Sequence, residues 1–519
     1  MNTDEYLRGG GVPLKTILYL KWLLSPLVCT PIDRNLKMAM FCCPQLYNTC
    51  ALRLYDPEKV PQYMRAYALS YQPLKLAAVW VDAGSLALLP ITSTEPTRVL
   101  LHNYHSHLNR SIGWVYHKLG LAQLARLDIG CGEYGYAYFL FKWKHVSVMN
   151  LAKVRGGRPL YPMSKTVDHW FMSRMGKLGA GLVKLLPDEC MLLNATGDLV
   201  PCLSKHLSTC DAEFGASKYV VSKAQWDVSG MYTQMGHVKV LRAVDWVITT
   251  VLARHRTEIF HVRTNRNRKV EAGIGMRREH HFMNITSRQF TYACLIALHF
   301  SFGWFGESCL LLQVFGCPQG NAMSPFFCKA LTAYASFEFS NSVYNELTIY
   351  HAKMFGVCFI DDIELFIVCL RTDLVALQTW IANLFARFES DAFPSPLVLE
   401  RDDGDAYLET LLTVVDSDIY VSHNTKIDLK ALLLDGKTLL RSHSFKSFVP
   451  RDLLFGALVG TLCRCVANSS HDHLLADPVL MVLKEFGLLG YPVRMCESAV
   501  RLVAVRKSSA AIADVLPII

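Results

Sequence analysis

The stretch Phe355-Gly-Val-Cys-Phe-Ile-Asp361-Asp362-Ile-Glu-Leu-Phe-Ile-Val368 sets two aspartates inside an otherwise apolar run. Strand-forming residues flank the acidic pair on both sides, so the run reads as a β-hairpin with the carboxylates at its tip. An Asp-Asp pair alone says little, because Asp favours turns through local hydrogen bonds. Two upstream segments add weight to it. Trp226-Asp227-Val-Ser-Gly-Met-Tyr232 carries one Asp at the end of a β-prone run. Gly316-Cys-Pro-Gln-Gly-Asn-Ala-Met-Ser-Pro325 reads as a loop opening a helix.

A strand-borne Asp, a Pro-Gln-Gly loop and an Asp-Asp hairpin follow the order of a nucleic-acid polymerase palm. On these residues the chain resembles a reverse transcriptase. The Asp227 segment is similar to that family's motif A, Pro318–Pro325 to motif B with matching Gln-Gly to Ser-Pro spacing, and Phe359-Ile-Asp-Asp362 to motif C. Each motif is short; three in the right order are specific together. The long insert between motifs A and B resembles the Penelope-like retroelement enzymes more than the retroviral ones. Gln313-Val-Phe-Gly316, Ala335-Ser-Phe-Glu338, Leu397-Val-Leu-Glu400 and Tyr407-Leu-Glu-Thr-Leu-Leu412 lean the same way.

The resemblance implies an α+β fold: a right-hand polymerase with fingers, an antiparallel-sheet palm and a helical thumb, plus a mostly helical N-terminal extension. The expected boundaries are 1–105 for the extension, 106–215 for the fingers, 216–425 for the palm and 426–519 for the thumb and C-terminal helices. Leu374, Leu377, Ile381, Leu384, Phe385 and Phe388 keep helical spacing after motif C and predict an amphipathic helix.

Composition sets the outer limits. A chain of 519 residues is too long for one ordinary core, and 51% hydrophobic with 19% charged residues excludes a disordered chain. The net charge of +9 permits a polyanionic partner and equally suits a solvated surface. The 17 cysteines follow no regular framework and no secretory signal stands out, so reduced thiols in an intracellular setting, nucleus or cytoplasm, are expected. The apolar run Leu14–Val28 carries two Lys and a Pro and falls short of the roughly 20 residues of a membrane span; a buried or amphipathic helix is the better reading, and no membrane partner is expected.

The resemblance implies an RNA-directed DNA polymerase that extends a primer on an RNA template with deoxynucleoside triphosphates. Such nucleotidyl transfer uses two divalent ions, Mg²⁺ or Mn²⁺, held by hard oxygen ligands. Asp227, Asp361 and Asp362 are the catalytic and metal-binding candidates; turn and cap aspartates are the plain alternative. Tyr232, five residues after Asp227, stands where the family places an aromatic that excludes a 2′-hydroxyl, which disfavours an RNA-synthesising enzyme. Gln319 and Gly320 would line the nucleotide, with Gly allowing close backbone approach. Lys142 and Arg158, in Phe141-Lys-Trp-Lys144 and Arg155-Gly-Gly-Arg-Pro159, are candidates for the triphosphate. Arg263, Arg266, Arg268 and Lys269 belong to a basic stretch running from Arg254 to Arg278, read as a phosphate-tracking hairpin or a solvated loop.

Two other readings compete. A reverse-transcriptase fold that binds nucleic acid without catalysis fits the absence of integrase, nuclease and ribonuclease H signatures. The loop Leu127-Asp-Ile-Gly-Cys-Gly-Glu-Tyr-Gly135 resembles the first glycine loop of S-adenosylmethionine-dependent methyltransferases, but Tyr134 stands where a third close-spaced Gly belongs. Cys463, Cys465, His471 and His473 fit no common zinc spacing.

Overall fold

The computed structural model describes residues 169–264, 271–299, 301–305, 309–313, 316–425, 442–447 and 449–516, and shorter pieces at 19, 23–24, 28–32, 35–42, 63–65, 113, 115–125, 138–141 and 157–160. Among the short pieces are strands β1 (Val28–Ile32), β2 (Asn35–Cys42), β3 (Tyr63–Arg65), β4 (Tyr138–Phe141) and β5 (Gly157–Leu160) and the helical turn α1 (Ala122–Ala125). The expected mostly helical extension is not what its described residues show; they are mainly strand. β1 and β2 join β4 and β5 in one sheet of order β2-β1-β4-β5. The apolar sequence of 28–42 is therefore satisfied by strand pairing, which helical periodicity does not foresee.

The central element is a four-stranded antiparallel sheet of order β12-β13-β6-β14, built from Tyr219–Ser229 (β6), Lys353–Phe359 (β12), Asp362–Leu370 (β13) and Val398–Asp402 (β14). The Asp361-Asp362 run does form the expected hairpin, with Phe359 opposite Asp362 and Lys353 opposite Val368. Both faces of this sheet are covered along most of its length, and that is why β13 reads as a nearly continuous apolar run.

On one face, Ala224, Trp226, Ile363, Leu365, Ile367 and Leu399 belong to the largest core. Helices α2 (His169–Val183), the short α4 (Met231–Gln234), α5 (His237–His255), α6 (Ser287–His299), α7 (Ser324–Ile349) and α8 (Leu374–Asp391) also contribute residues to it. The predicted stripe on α8 is buried at Leu377, Ile381, Leu384, Phe385 and Phe388. Phe388 packs 5.0 Å from the Trp226 ring. Each such side chain contributes roughly 1.5–3 kcal/mol on burial.

The opposite face is covered over only part of its length. Tyr219, Val221, Phe355, Val357, Phe366 and Val368 pack against a small sheet, β15 (Ala406–Tyr407), β16 (Thr410–Val415) and β17 (Asp418–His423), and against helix α3 (Leu199–Phe214). The cover stops short of the end that carries Asp227 and Asp362.

The insert between the first two motifs holds a sheet of order β8-β7-β9, Ala272–Ile274, Ile259–Arg263 and Phe282–Thr286. It also holds the hairpin β10 (Phe302–Phe305) and β11 (Cys309–Gln313), to which β3 adds a third strand. After residue 450, helices α9 (Arg451–Ala467), α10 (Ala476–Leu488) and α11 (Val493–Lys507) enclose a separate core. No helix among the described residues is long and apolar enough to cross a membrane.

Candidate active site

The three predicted aspartates come to one end of the central sheet. Asp362 on β13 stands directly opposite Asp227 on β6. Directly opposed residues of an antiparallel pair project from the same face, with Cβ atoms roughly 4.5–5.5 Å apart. Asp361 occupies the two-residue turn, and its carbonyl accepts a hydrogen bond from Val228 N–H at 2.9 Å, which ties the turn to the Asp227 strand. Asp227 is exposed, and Asp361 and Asp362 are half-buried. Glu400 on β14 is also opposite Asp227, extending the acidic row to a third strand.

The turn itself is strained. Ile360 has φ +65°, a left-handed conformation that β-branched residues rarely adopt and that costs on the order of 1–3 kcal/mol. Its carbonyl is held by the hydroxyl of buried Thr332, which donates at 3.0 Å from α7, the helix opened by the second motif. The neighbouring Lys329 donates to the carbonyls of Leu193 and Asn194 and lies 5.1 Å from the Phe359 ring centre. Helix α7 therefore secures the carboxylate-bearing turn from behind.

The Pro-Gln-Gly loop is braced by its own polar side chains. Ser324 Oγ donates to the Pro318 carbonyl at 2.6 Å, and Asn321 Oδ1 accepts from Met323 N–H at 3.0 Å. Gly320 is exposed with φ +128°, a conformation open to glycine alone, and Gln319 is half-buried beside it. The loop meets the end of the first motif directly, where Cys317 N–H donates to the Tyr232 carbonyl at 2.7 Å. Tyr232 is packed against the main core. Burial, reinforced by Cys328, Cys317 and Asp361, pushes its hydroxyl far above the ordinary tyrosine range, so it stays protonated.

Beneath the acidic row lies a polar layer that sequence reading did not single out. Glu364, on the same strand face as Asp362, is 0% exposed, and neither carboxyl oxygen has a hydrogen-bond partner. Burial raises its carboxyl from 4.5 to about 8, against the opposing pull of Lys223 at 3.6 Å. Lys223 also pairs with Asp405 at 2.9 Å and donates to the Leu412 carbonyl at 2.7 Å. Gln225 donates to the Ala406 carbonyl, and Tyr407 Oη donates to the Val357 carbonyl at 2.9 Å. These bonds clamp the small sheet to β6, which carries Asp227, and to β12, and Tyr407 Oη also reaches the Asp362 carbonyl at 3.4 Å. The period-two spacing from Asp362 to Glu364 was the available signal for this layer.

The other predicted residues divide. Arg158 lies on β5 opposite Leu140, and Lys142 lies outside the described residues, as do Arg266, Arg268, Lys269 and the glycine loop 127–135. Arg263 is not a free cation. Its guanidinium pairs with Glu271 at 3.1 Å and bonds His281 Nε2 at 3.1 Å. Arg464 on α9 pairs with Glu409 at 3.5 Å. Among the described residues no group of three or more His, Cys, Asp and Glu side chains is gathered closely enough to form a metal cage.

No protein-family model matches the chain, and no curated protein does. Solved structures give distant likenesses. Telomerase from Candida albicans, in complex with a telomeric RNA fragment, matches with TM-score 0.44 and 10% identity over 72% of this chain and 58% of that one. Apo telomerase from Candida tropicalis matches with TM-score 0.44 and 10% identity over 93% and 68%. The Sicinivirus RNA-dependent RNA polymerase matches with TM-score 0.37 and 10% identity over 69% and 64%. Such low scores leave the assignment to this chain's own residues.

Proposed function

We propose that the chain is a template-directed nucleic-acid polymerase of the reverse-transcriptase type, adding deoxynucleotides to a primer on an RNA template. The observation that carries this reading is the register of Asp227 against Asp362, with Asp361 in the turn beside them, at the uncovered end of an antiparallel sheet.

The donor set suits Mg²⁺ or Mn²⁺. These are hard cations that take carboxylate oxygens, and Mg²⁺ needs only one or two of them when substrate phosphates and water complete its shell. The lack of a three-ligand protein cage among the described residues is compatible with that mode of binding. Asp227, Asp361 and Asp362 would hold the ions. When bound, such ions ease attack by the primer 3′-hydroxyl and stabilise charge on the leaving pyrophosphate. The remaining work falls to this chain's own residues. The braced loop at Gln319 and Gly320 lies next to Tyr232, where it can position an incoming nucleotide against the acidic row. The turn that carries Tyr232 is bonded to Cys317 from behind, which restrains its backbone, and the ring packs against the main core. In this reading a 2′-hydroxyl would meet the Tyr232 ring.

Primer extension by the purified chain on an RNA template, with Mg²⁺ and deoxynucleotides, tests the proposal. Asp227→Asn or Asp361→Asn should abolish extension while thermal stability and template binding stay near wild type, since an ion ligand is removed and little packing changes. Full activity in either variant would sink the assignment. A second reading, nucleic-acid binding without catalysis, predicts template binding with no extension by the wild type.

A further inference from the structure

Gly316 lies against the turn that carries Tyr232, and His237 is bonded to Gly316. Gly316 has φ +76°, and its N–H donates to the Met235 carbonyl at 2.8 Å. A Cβ added at Gly316 would lie 2.8 Å from Thr233 Cα and 2.9 Å from Thr233 C, with the Tyr232 carbonyl oxygen closer still. All three are backbone atoms of the turn that carries Tyr232, so no side-chain rotation relieves the clash. On the far side of the same residue, the Gly316 carbonyl accepts a hydrogen bond from His237 Nε2 at 2.7 Å. A carbonyl only accepts, so His237 carries its proton on Nε2 in this contact. Burial lowers the His237 pKa and favours the neutral ring. The residue is the first of α5, a helix whose Val240, Val244, Val247 and Val251 are buried in the main core. The main core thus anchors His237, which anchors Gly316. Gly316 in turn lies against the Tyr232 turn with no room for another atom.

We propose that Gly316 and His237 are positioning residues for sugar selection, holding the Tyr232 ring where a 2′-hydroxyl would collide with it. The inference rests on the polymerase reading and deepens it. Neither residue touches substrate. Their effect is on where the ring stands, and a displacement of the order of 1 Å can change a rate by roughly a hundredfold.

The test compares kcat and KM for matched ribo- and deoxyribonucleotides on one primer-template, using the full chain and its Gly316→Ala, His237→Ala and His237→Gln variants, each checked for folding by thermal melting. Gly316→Ala and His237→Ala should lower the preference for deoxyribonucleotides on the order of tenfold, mainly by improving ribonucleotide kcat/KM. His237→Gln, which keeps an N–H donor for the Gly316 carbonyl, should restore most of the preference. If Gly316→Ala does not fold, the two His237 variants decide. An unchanged preference overturns the inference, as does an equal loss of rate with both sugars, which a purely structural role would produce. A wild-type chain that extends no primer overturns the polymerase reading instead.

Discussion

A carboxyl group with no access to water sits two residues from Asp362. Glu364 carries the cost of burial without a hydrogen bond to either oxygen, and Lys223 at 3.6 Å offsets only part of it. Its proton is therefore held in the folded chain at pH values where the unfolded chain has released it. With the carboxyl raised from 4.5 to about 8, the folded state binds more protons between those values, so stability is greatest below the lower one and falls as pH rises through the upper one. The fall amounts to a few kcal/mol at most, on the order of 1.4 kcal/mol for each pH unit crossed. Glu364→Gln removes the titrating proton and keeps the shape. Urea unfolding at about pH 5 and about pH 9 should show a clear fall in wild-type stability and a much smaller one in the variant. Equal falls would place the pH sensitivity elsewhere. At the same scale, the Arg263 guanidinium is already engaged by Glu271 and His281.

At the scale of elements, helix α2 and helix α9 both contain interior glycines with opposite meanings. Gly176 faces the start of α7, where an added Cβ would lie 2.8 Å from the Ala322 carbonyl carbon and closer to its oxygen. Gly179 faces the Phe326 ring, with two ring carbons at 2.7 and 2.8 Å. Both allow α2 to approach the loop and helix that back the acidic turn. Gly456 and Gly460 on α9 have nothing within 4 Å of an added Cβ. The same change to Ala should therefore act in opposite directions. Gly176→Ala should destabilise by about 1–3 kcal/mol through overpacking, and Gly456→Ala should stabilise by roughly 0.8–1.0 kcal/mol through helix propensity. Chemical denaturation of the two variants checks both signs, and stabilisation by Gly176→Ala would refute the close packing of α2 on α7.

Across the whole molecule, both faces of the central sheet carry apolar packing, and each also brings polar contacts: Lys223 and Gln225 meet the small sheet on one side, and Thr332 holds the acidic turn from α7 on the other. The main core and the α7 and α8 helices lie behind the central sheet, and the small β15–β17 sheet with α3 covers the other face except at the end that carries the Asp227 side chain. The C-terminal helices keep their own core and meet the small sheet through Ser470 with Val421 and Asn468 with His423. For the proposed nucleic-acid partner, the basic stretch of the insert is the clearest signal of phosphate contacts in the sequence. Neutralising Arg266, Arg268 and Lys269 together should weaken binding to any sequence and reduce the dependence of log affinity on log salt by roughly 0.7–0.9 for each phosphate no longer neutralised. Arg263→Ala, which breaks an existing ion pair, should lower stability and leave the salt slope nearly unchanged. Binding titrations over a range of salt would separate the two, and an unaltered slope in the triple variant would mark that stretch as a solvated loop.

Local pattern in the sequence was enough for the Asp361-Asp362 hairpin, the helix opened by Pro318–Pro325 and the buried stripe of α8, because each is written in neighbouring residues as a period of two, a turn signal or a period near 3.6. The order of the three motifs also singles out Asp227 and Asp362 without any knowledge of strand register. Contacts between distant residues decided the rest. Lys223 reaches the Leu412 carbonyl across 189 residues, Gln225 reaches Ala406 across 181, and His237 meets Gly316 across 79. The strands β1 and β2, in a region expected as helix, pair with each other, and β1 also meets β4 about a hundred residues away, Ile32 opposite Phe141. Burial of Glu364, the ion pairing of Arg263 and the crowding around Gly316 depend on which elements are packed together. Local propensity carries no record of that, because the energy of each such contact belongs to a pair of surfaces and not to either segment alone.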